Sequence, residues 1–322
     1  MRALCLAFAL LILTVRPAMA EAPSFHAGIA RPTVTGPDLA GEAPFDILVW
    51  YPTEADEIAW QAGPFPMPAT RNAAVAPGRF PVLLLSHGGG PTGGSPLLLR
   101  ELSANLARHG FIVIAPFHGK TGLQTRVGQM RQALAAVEAD PRFAPHLDPA
   151  RLGMLGFSLG TAVTLEIAGA IPNPAHLVAY CAAHPNDAMS CDHAPDGQNR
   201  TLVTPNPPHP APLPVKAIVL LDPFAVLFQR PELTKVSASA LIFRPDRSEL
   251  PAEANATALA AALPHAPEVV TIPGSHFVFT DACQPAIAAS APDLCRDPPG
   301  VDRAAVHAVV EARIAAFFEK YL

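Results

Sequence analysis

The residue with the plainest chemical potential is Ser158, in the run Arg151-Leu-Gly-Met-Leu-Gly-Phe-Ser-Leu-Gly160. Residues 152–155 read as a short buried strand, and an apolar helix is expected from about Leu159. Between them Gly156-Phe-Ser158-Leu-Gly160 fits the G-x-S-x-G pattern of a nucleophile elbow. There a turn too tight for neighbouring Cβ atoms holds one serine in a strained, exposed conformation. The helix that follows aims its N–H groups and its positive dipole end at the serine oxygen.

A serine hydroxyl is a poor nucleophile near neutral pH unless a base takes its proton and an acid orients that base. Of the 12 histidines, His276 is placed best, in Pro273-Gly-Ser-His276-Phe after the last expected strand and before one final helix. Two aspartates compete for the acid. Asp222 ends the apolar strand Ala217-Ile-Val-Leu-Leu-Asp222, where a carboxylate is costly to bury unless a histidine N–H pairs it. Asp246 follows the next strand, in Arg244-Pro-Asp246-Arg-Ser-Glu249, flanked by two arginines that could hold it in a surface ion pair. Asp222 is the favoured candidate and Asp246 the alternative.

Attack on a carbonyl also needs donors for the oxyanion. His87-Gly88-Gly89-Gly90 follows the apolar run 80–86, and glycine there lets the backbone turn its N–H groups toward the serine. The expected donors are the amides of Gly89 and of Leu159, the residue after the nucleophile. His87 reads as a supporting hydrogen-bonding group. The loop lacks the G-K-[ST] of a P-loop and a full G-x-G-x-x-G, so a nucleotide site is not expected. No cofactor is expected either.

These residues need elements to hold them. Strands are expected at 25–34, 44–51, 80–86, 111–115, 152–155, 217–221, 240–243 and 269–272, with helices at 97–109, 124–139, 252–263 and 302–321. Residues 52–79 read as a loop. Strands alternating with helices of this length predict an α/β fold with a mostly parallel, doubly wound sheet, whose ligands bind at the carboxyl ends of the strands. Residues 172–214 interrupt the alternation with ten prolines and no sustained periodicity. They are expected to form an insertion over the site, a lid or substrate wall.

The first 20 residues have the form of an export signal. Arg2 supplies a basic start, residues 3–15 an apolar run, and Ala18-Met-Ala20 a cleavage site before Glu21. The expectation is a protein secreted or directed to a periplasm, cleaved after Ala20, with one domain over residues 21–322 and no transmembrane segment. Without Arg2 and Arg16, 20 basic residues face 27 acidic ones, a net charge of −7, which argues against nucleic acid as a partner. There is no internal repeat and no heptad pattern. Cys5 leaves with the signal, and the remaining four cysteines fall into two local pairs, Cys181/Cys191 and Cys283/Cys295. In an oxidising compartment these read as two disulfides, each pinning a loop. A zinc site with His184 and His193 is the competing reading of the first pair. It lacks C-x-x-C or H-x-x-x-H spacing, so no metal is expected.

With these features assembled, the chain resembles the α/β-hydrolase superfamily over nearly its whole mature length. Within it the likeness is to secreted dienelactone-hydrolase-like proteins and platelet-activating-factor acetylhydrolases. It rests on Val49-Trp-Tyr-Pro52, Leu85-Ser-His-Gly88, Gly156-Phe-Ser-Leu-Gly160, an acid after strand 217–221, Ser-His276-Phe, and the tail containing Cys283 and Cys295. The acetylhydrolase branch keeps its triad aspartate after this same strand, which supports Asp222. Set against the E-R-D-E acid turn common in such hydrolases, the loop after strand 240–243 has Ser248 at the aspartate's place and Asp246 two positions early. Two departures stand out. Ser158 replaces the cysteine nucleophile of cytosolic dienelactone hydrolases, and Thr161 follows the elbow where glycine is frequent and could crowd the helix start. The resemblance implies a secreted serine esterase acting through an acyl-enzyme on a small-molecule or lipid ester. A lipase or phospholipase A2-type acetylhydrolase acting on short or oxidised acyl chains, hence lipid degradation, is the alternative, and a non-catalytic binding protein on the same fold stands third.

Overall fold

The computed structural model describes residues 24–35, 43–89, 94–191 and 210–322. The expected signal segment, Gly90 of the glycine run and His193 lie outside them.

The chain opens with β1 (His26–Ala30), β2 (Thr33–Val34) and β3 (Phe45–Thr53), then β4 (Trp60–Ala62), β5 (Phe65–Met67) and β6 (Thr70–Arg71). The α/β alternation follows as β7 (Phe80–Ser86), α1 (Arg100–Arg108), β8 (Ile112–Pro116), α2 (Leu123–Ala139), β9 (Leu147–Phe157) and α3 (Leu159–Ile167). Next come α4 (Pro174–Ala183), α5 (Ala188–Cys191), β10 (Ala217–Leu221), β11 (Ser239–Pro245), α6 (Ala256–Ala262) and β12 (Glu268–Ile272). The tail holds α7 (Pro285–Ser290), α8 (Pro292–Cys295) and α9 (Arg303–Tyr321).

Apart from β4 and β5, which pair with each other, the strands form one mixed sheet in the order β12-β11-β10-β9-β7-β8-β3-β1-β6, with β2 added beside β3. From β8 to β12 every pairing is parallel, and β3 joins antiparallel. The two-residue side-chain period explains why the central strands are apolar throughout. Val82 and Leu84 of β7 point to one core, with Ile112, Ile114, Met154, Ile218 and Leu220. Leu83 and Leu85 point to the other, with Val113, Ala115, Leu155, Val219 and Leu221. Helices α2, α3 and α6 cover the first face and α1 and α9 the second. Sheet residues buried on both sides leave only the strand ends free for polar groups, so the chemistry collects there.

Two stretches differ from the sequence expectation. Residues 52–79 contain the hairpin β4–β5 and the short β6, which pairs with β1. Runs of two and three residues carry too little alternation to be read from sequence. The 172–214 stretch begins with two helices: Asn173 caps α4 by accepting the His176 N–H, with Pro174 in the first turn. A cap and a proline are legible start signals, but helices of ten and four residues show no sustained period. Both expected disulfides are present, Cys181–Cys191 with Cα atoms 5.6 Å apart and Cys283–Cys295 with Cα atoms 5.5 Å apart. Among the described residues no helix is long and apolar enough to cross a membrane.

Candidate active site

Ser158 ends β9 and begins α3 with φ 54° and ψ −122°. A non-glycine residue rarely adopts this left-handed geometry, and it persists only where the surroundings enforce it. Close approach does so here. A Cβ on Gly156 would lie 2.3 Å from Gly160 O, and one on Gly160 would lie 1.9 Å from Ser86 O. The Ser158 N–H donates to Leu221 O at 3.0 Å, tying the elbow to β10. Thr161 does not crowd the helix start. Its hydroxyl donates to Ser158 O at 2.6 Å and lies 3.3 Å from Phe224 O, so it closes the turn.

His276 and Asp222 are both buried, and His276 Nδ1 lies 2.6 Å from Asp222 Oδ2. With a carboxylate as partner the ring nitrogen is the donor, which leaves Nε2 as the acceptor. Asp222, immediately after β10, also has a strained backbone, φ 39°. Its N–H donates to Phe243 O at 2.9 Å. The imidazole stacks on Phe157, the neighbour of Ser158, with centroids 4.9 Å apart and planes at 30°. Serine, aspartate and histidine thus arise from the carboxyl ends of β9, β10 and β12 and are joined through adjacent residues.

Asp246 is not at the pair. Its Oδ1 accepts the Gly274 N–H at 2.9 Å, and Arg247 pairs with it at 3.5 Å in the open. The Gly274 N–H leads the causes that hold its carboxyl below the usual range. Asp246 therefore fastens the loop that carries His276. Two residues given no role from sequence complete the surroundings. Ser248 donates its hydroxyl to Asp222 Oδ2 at 2.5 Å, and Glu249 accepts the His276 N–H at 2.8 Å. Ser248 carried a signal, since the resemblance drawn from sequence put it at the place of an acid.

Gly88 and Gly89 pass beside the serine. A Cβ on Gly88 would meet Ser158 Cβ at 3.0 Å, and Gly89 has φ 78°. His87 is buried beneath them, and its Nδ1–H donates to Gly88 O at 2.7 Å. Burial, with Arg126 nearby, pulls its imidazole down to about 3, so it is neutral. Leu159 opens α3 directly after Ser158.

A cleft of about 1200 Å3 adjoins these residues at Glu249, and Ser158, Asp222 and His276 are not among its lining. Its walls include Tyr180 and Asp187 of the α4–α5 segment, Val226 and Phe228 after β10, and Glu249 and Glu253 after β11. Cys181–Cys191 binds the two helices of that wall together. Among the described residues no group of three or more histidine, cysteine, aspartate or glutamate side chains could hold a metal ion.

No family model matches the sequence, and no curated protein matches it. Solved structures do. A ferulic acid esterase from Streptomyces cinnamoneus superposes with TM-score 0.62 at 20% identity, over 95% of this chain and 94% of its own. A Bacteroides ovatus protein assigned as a dipeptidyl aminopeptidase IV superposes with TM-score 0.49 at 14% identity, over 92% of this chain and 36% of its own. The likeness to the first shows a shared fold, an α/β architecture built on a mostly parallel sheet with helices on both faces.

Proposed function

We propose that the protein is a serine esterase of the α/β-hydrolase type, cleaving carboxylic esters through an acyl-enzyme. The observation that carries this is the strained Ser158 at the end of β9, beside a buried His276–Asp222 pair. Ser158 Oγ attacks the ester carbonyl while His276 Nε2 takes its proton, and the carbonyl π pair moves onto oxygen. The amides of Gly89 and Leu159 receive that oxyanion. The intermediate collapses, the C–O bond to the alcohol breaks, and His276 returns the proton to the leaving oxygen. Water, deprotonated by His276, then attacks the acyl carbon; the bond to Ser158 Oγ breaks, the acid leaves and His276 returns the proton to Oγ. Asp222 fixes the tautomer of His276 and stabilises its cationic form, with Ser248 holding the carboxylate in place.

The cleft beside Glu249 is the proposed seat of the substrate, with α4 and α5 as its wall or lid. It carries Asp187, Glu249, Glu253 and Arg230 among its lining. Apolar groups such as Met189, Val226, Phe228 and Ala258 stand between these charges, so the lining fits an ester with both an apolar and a polar part. The Streptomyces neighbour is named for ferulic acid, so aromatic acyl groups belong among the first probes. The two disulfides support export, with residues 1–20 as the signal.

The test is hydrolysis of p-nitrophenyl esters from acetate to palmitate and of methyl hydroxycinnamates by residues 21–322, with Ser158→Ala alongside. The reading expects activity on short or aromatic acyl esters that disappears in the variant. Equal rates in wild type and Ser158→Ala on every ester would overturn it and favour a binding protein.

A further inference from the structure

Beneath the glycine loop lies a buried cation. Arg126, in the first turn of α2, is fully buried, and among the described residues no acidic group pairs with it. Its Nη1–H donates to His87 O at 3.0 Å and faces Gly88 O at 3.5 Å, and its Nε–H donates to Thr121 O at 3.2 Å. Among the described residues Nη2 has no acceptor. Burying a guanidinium this way is costly, so its retention calls for a compensating role. Burial pulls it down from 12.5 to about 9, which leaves it charged at neutral pH.

The surrounding network is neutral and fully directed. His118 Nδ1–H donates to Gln129 Oε1 at 2.8 Å, and Ser86 Oγ–H donates to His118 Nε2 at 3.0 Å. The His118 N–H reaches His87 Nε2 at 3.3 Å, and His87 Nδ1–H ends on Gly88 O. Burial and the nearby Arg126 hold both imidazoles well below their ordinary range. The charge in contact with this loop among the described residues is the Arg126 guanidinium.

A trans peptide plane links the arginine to the serine. The C=O of residue 88 and the N–H of residue 89 belong to one planar unit and point in opposite directions. Drawing Gly88 O down onto His87 and toward Arg126 aims the Gly89 N–H the other way. Gly88 is the residue whose Cβ would meet Ser158. The guanidinium also lies behind that peptide dipole, with its field directed at whatever anion the N–H receives.

We propose that Arg126 is a positioning residue for ester hydrolysis: through the carbonyls of His87 and Gly88 it orients the Gly89 amide and adds its charge to the stabilisation of the oxyanion. The proposal rests on the serine-esterase reading above. A group that acts on the oxyanion stabilises the transition state and leaves ground-state ester binding unchanged.

The test compares Arg126→Gln and Arg126→Lys with wild type on p-nitrophenyl butyrate, separating kcat from KM. A trifluoromethyl ketone reads the oxyanion directly, because Ser158 Oγ adds to its carbonyl carbon, the π pair goes to oxygen and the proton goes to His276. Arg126→Gln is expected to lower kcat roughly 10- to 100-fold and weaken the ketone by a similar factor. KM should stay within about threefold, and Arg126→Lys should recover a large part of both losses. A Gln variant with wild-type kcat and ketone affinity, or one that loses only KM or thermal stability, overturns the proposal. If Arg126→Gln does not fold, Arg126→Lys decides: kcat and ketone affinity must fall together, and a change in KM alone overturns it. Ser158→Ala in the same series keeps the two claims apart. An active Ser158→Ala removes the esterase reading itself, whereas an inactive one beside an unaffected Arg126→Gln removes only the role of Arg126.

Discussion

Ser248 donates its hydroxyl to Asp222 Oδ2, the same carboxylate oxygen that receives Nδ1–H of His276. A serine on the loop after β11 thus supports an aspartate from the loop after β10. If Asp222 is the acid of a triad, Asp222→Asn should lower kcat by roughly 10³- to 10⁴-fold through the wrong histidine tautomer. Ser248→Ala removes a supporting bond and should cost far less, about tenfold. Because Ser248 already reaches the acid, the double variant Asp222→Asn/Ser248→Asp should regain part of the lost rate. Steady-state kinetics on one ester check all three, and a double variant no faster than Asp222→Asn would argue against shared access to His276.

Asp246 should behave differently. It accepts the Gly274 N–H and faces Arg247 near the surface, so Asp246→Asn is expected to retain kcat within a few-fold. Its effect should appear as a lower melting temperature. A collapse of kcat in a folded Asp246→Asn would reverse the acid assignment.

Glycine substitutions should separate space from strain. Gly160→Ala would drive a Cβ to 1.9 Å from Ser86 O, against backbone that cannot move away. We expect loss of more than about 3 kcal/mol, or no folded protein. Gly128, inside α2, has nothing within 4 Å of the added Cβ. Gly128→Ala should stabilise by up to about 1 kcal/mol. Chemical denaturation of the two variants measures both.

Glu166 gives the chain a pH dependence. It is buried in α3, its Oε1 has no partner among the described residues, and burial raises its carboxyl from 4.5 to about 8. The folded state therefore holds this proton more tightly than the unfolded state. Its contribution is fully present below about pH 4.5 and is lost as pH rises through about 8. Glu166→Gln should raise the melting temperature at pH 9 and leave it nearly unchanged at pH 5. An equal shift at both values would show that the carboxyl does not titrate across that interval.

The α/β architecture and two of the three proposed triad residues were legible in the order of the amino acids. Continuous apolar runs such as 80–86 and 217–221 have one physical solution, a strand covered on both faces. A glycine-flanked serine between such a strand and an apolar helix forces the elbow, because only glycine tolerates that approach. His276 was legible from its place after the last strand. The hairpin at 60–67 and helix α5 were not, since elements of three or four residues owe their form to neighbours and not to their own periodicity. Between the two aspartates the strand ends gave a preference for Asp222 and no more, since each follows an apolar strand; the folded chain brings Asp222 to Nδ1 of His276 and Asp246 to the Gly274 N–H. Tertiary structure alone put Arg126 under the glycine loop, 38 residues from Gly88 along the chain. A lone arginine in the first turn of a helix looks like an exposed charge, and its burial depends on β7, β8 and α2 meeting at one end of the sheet.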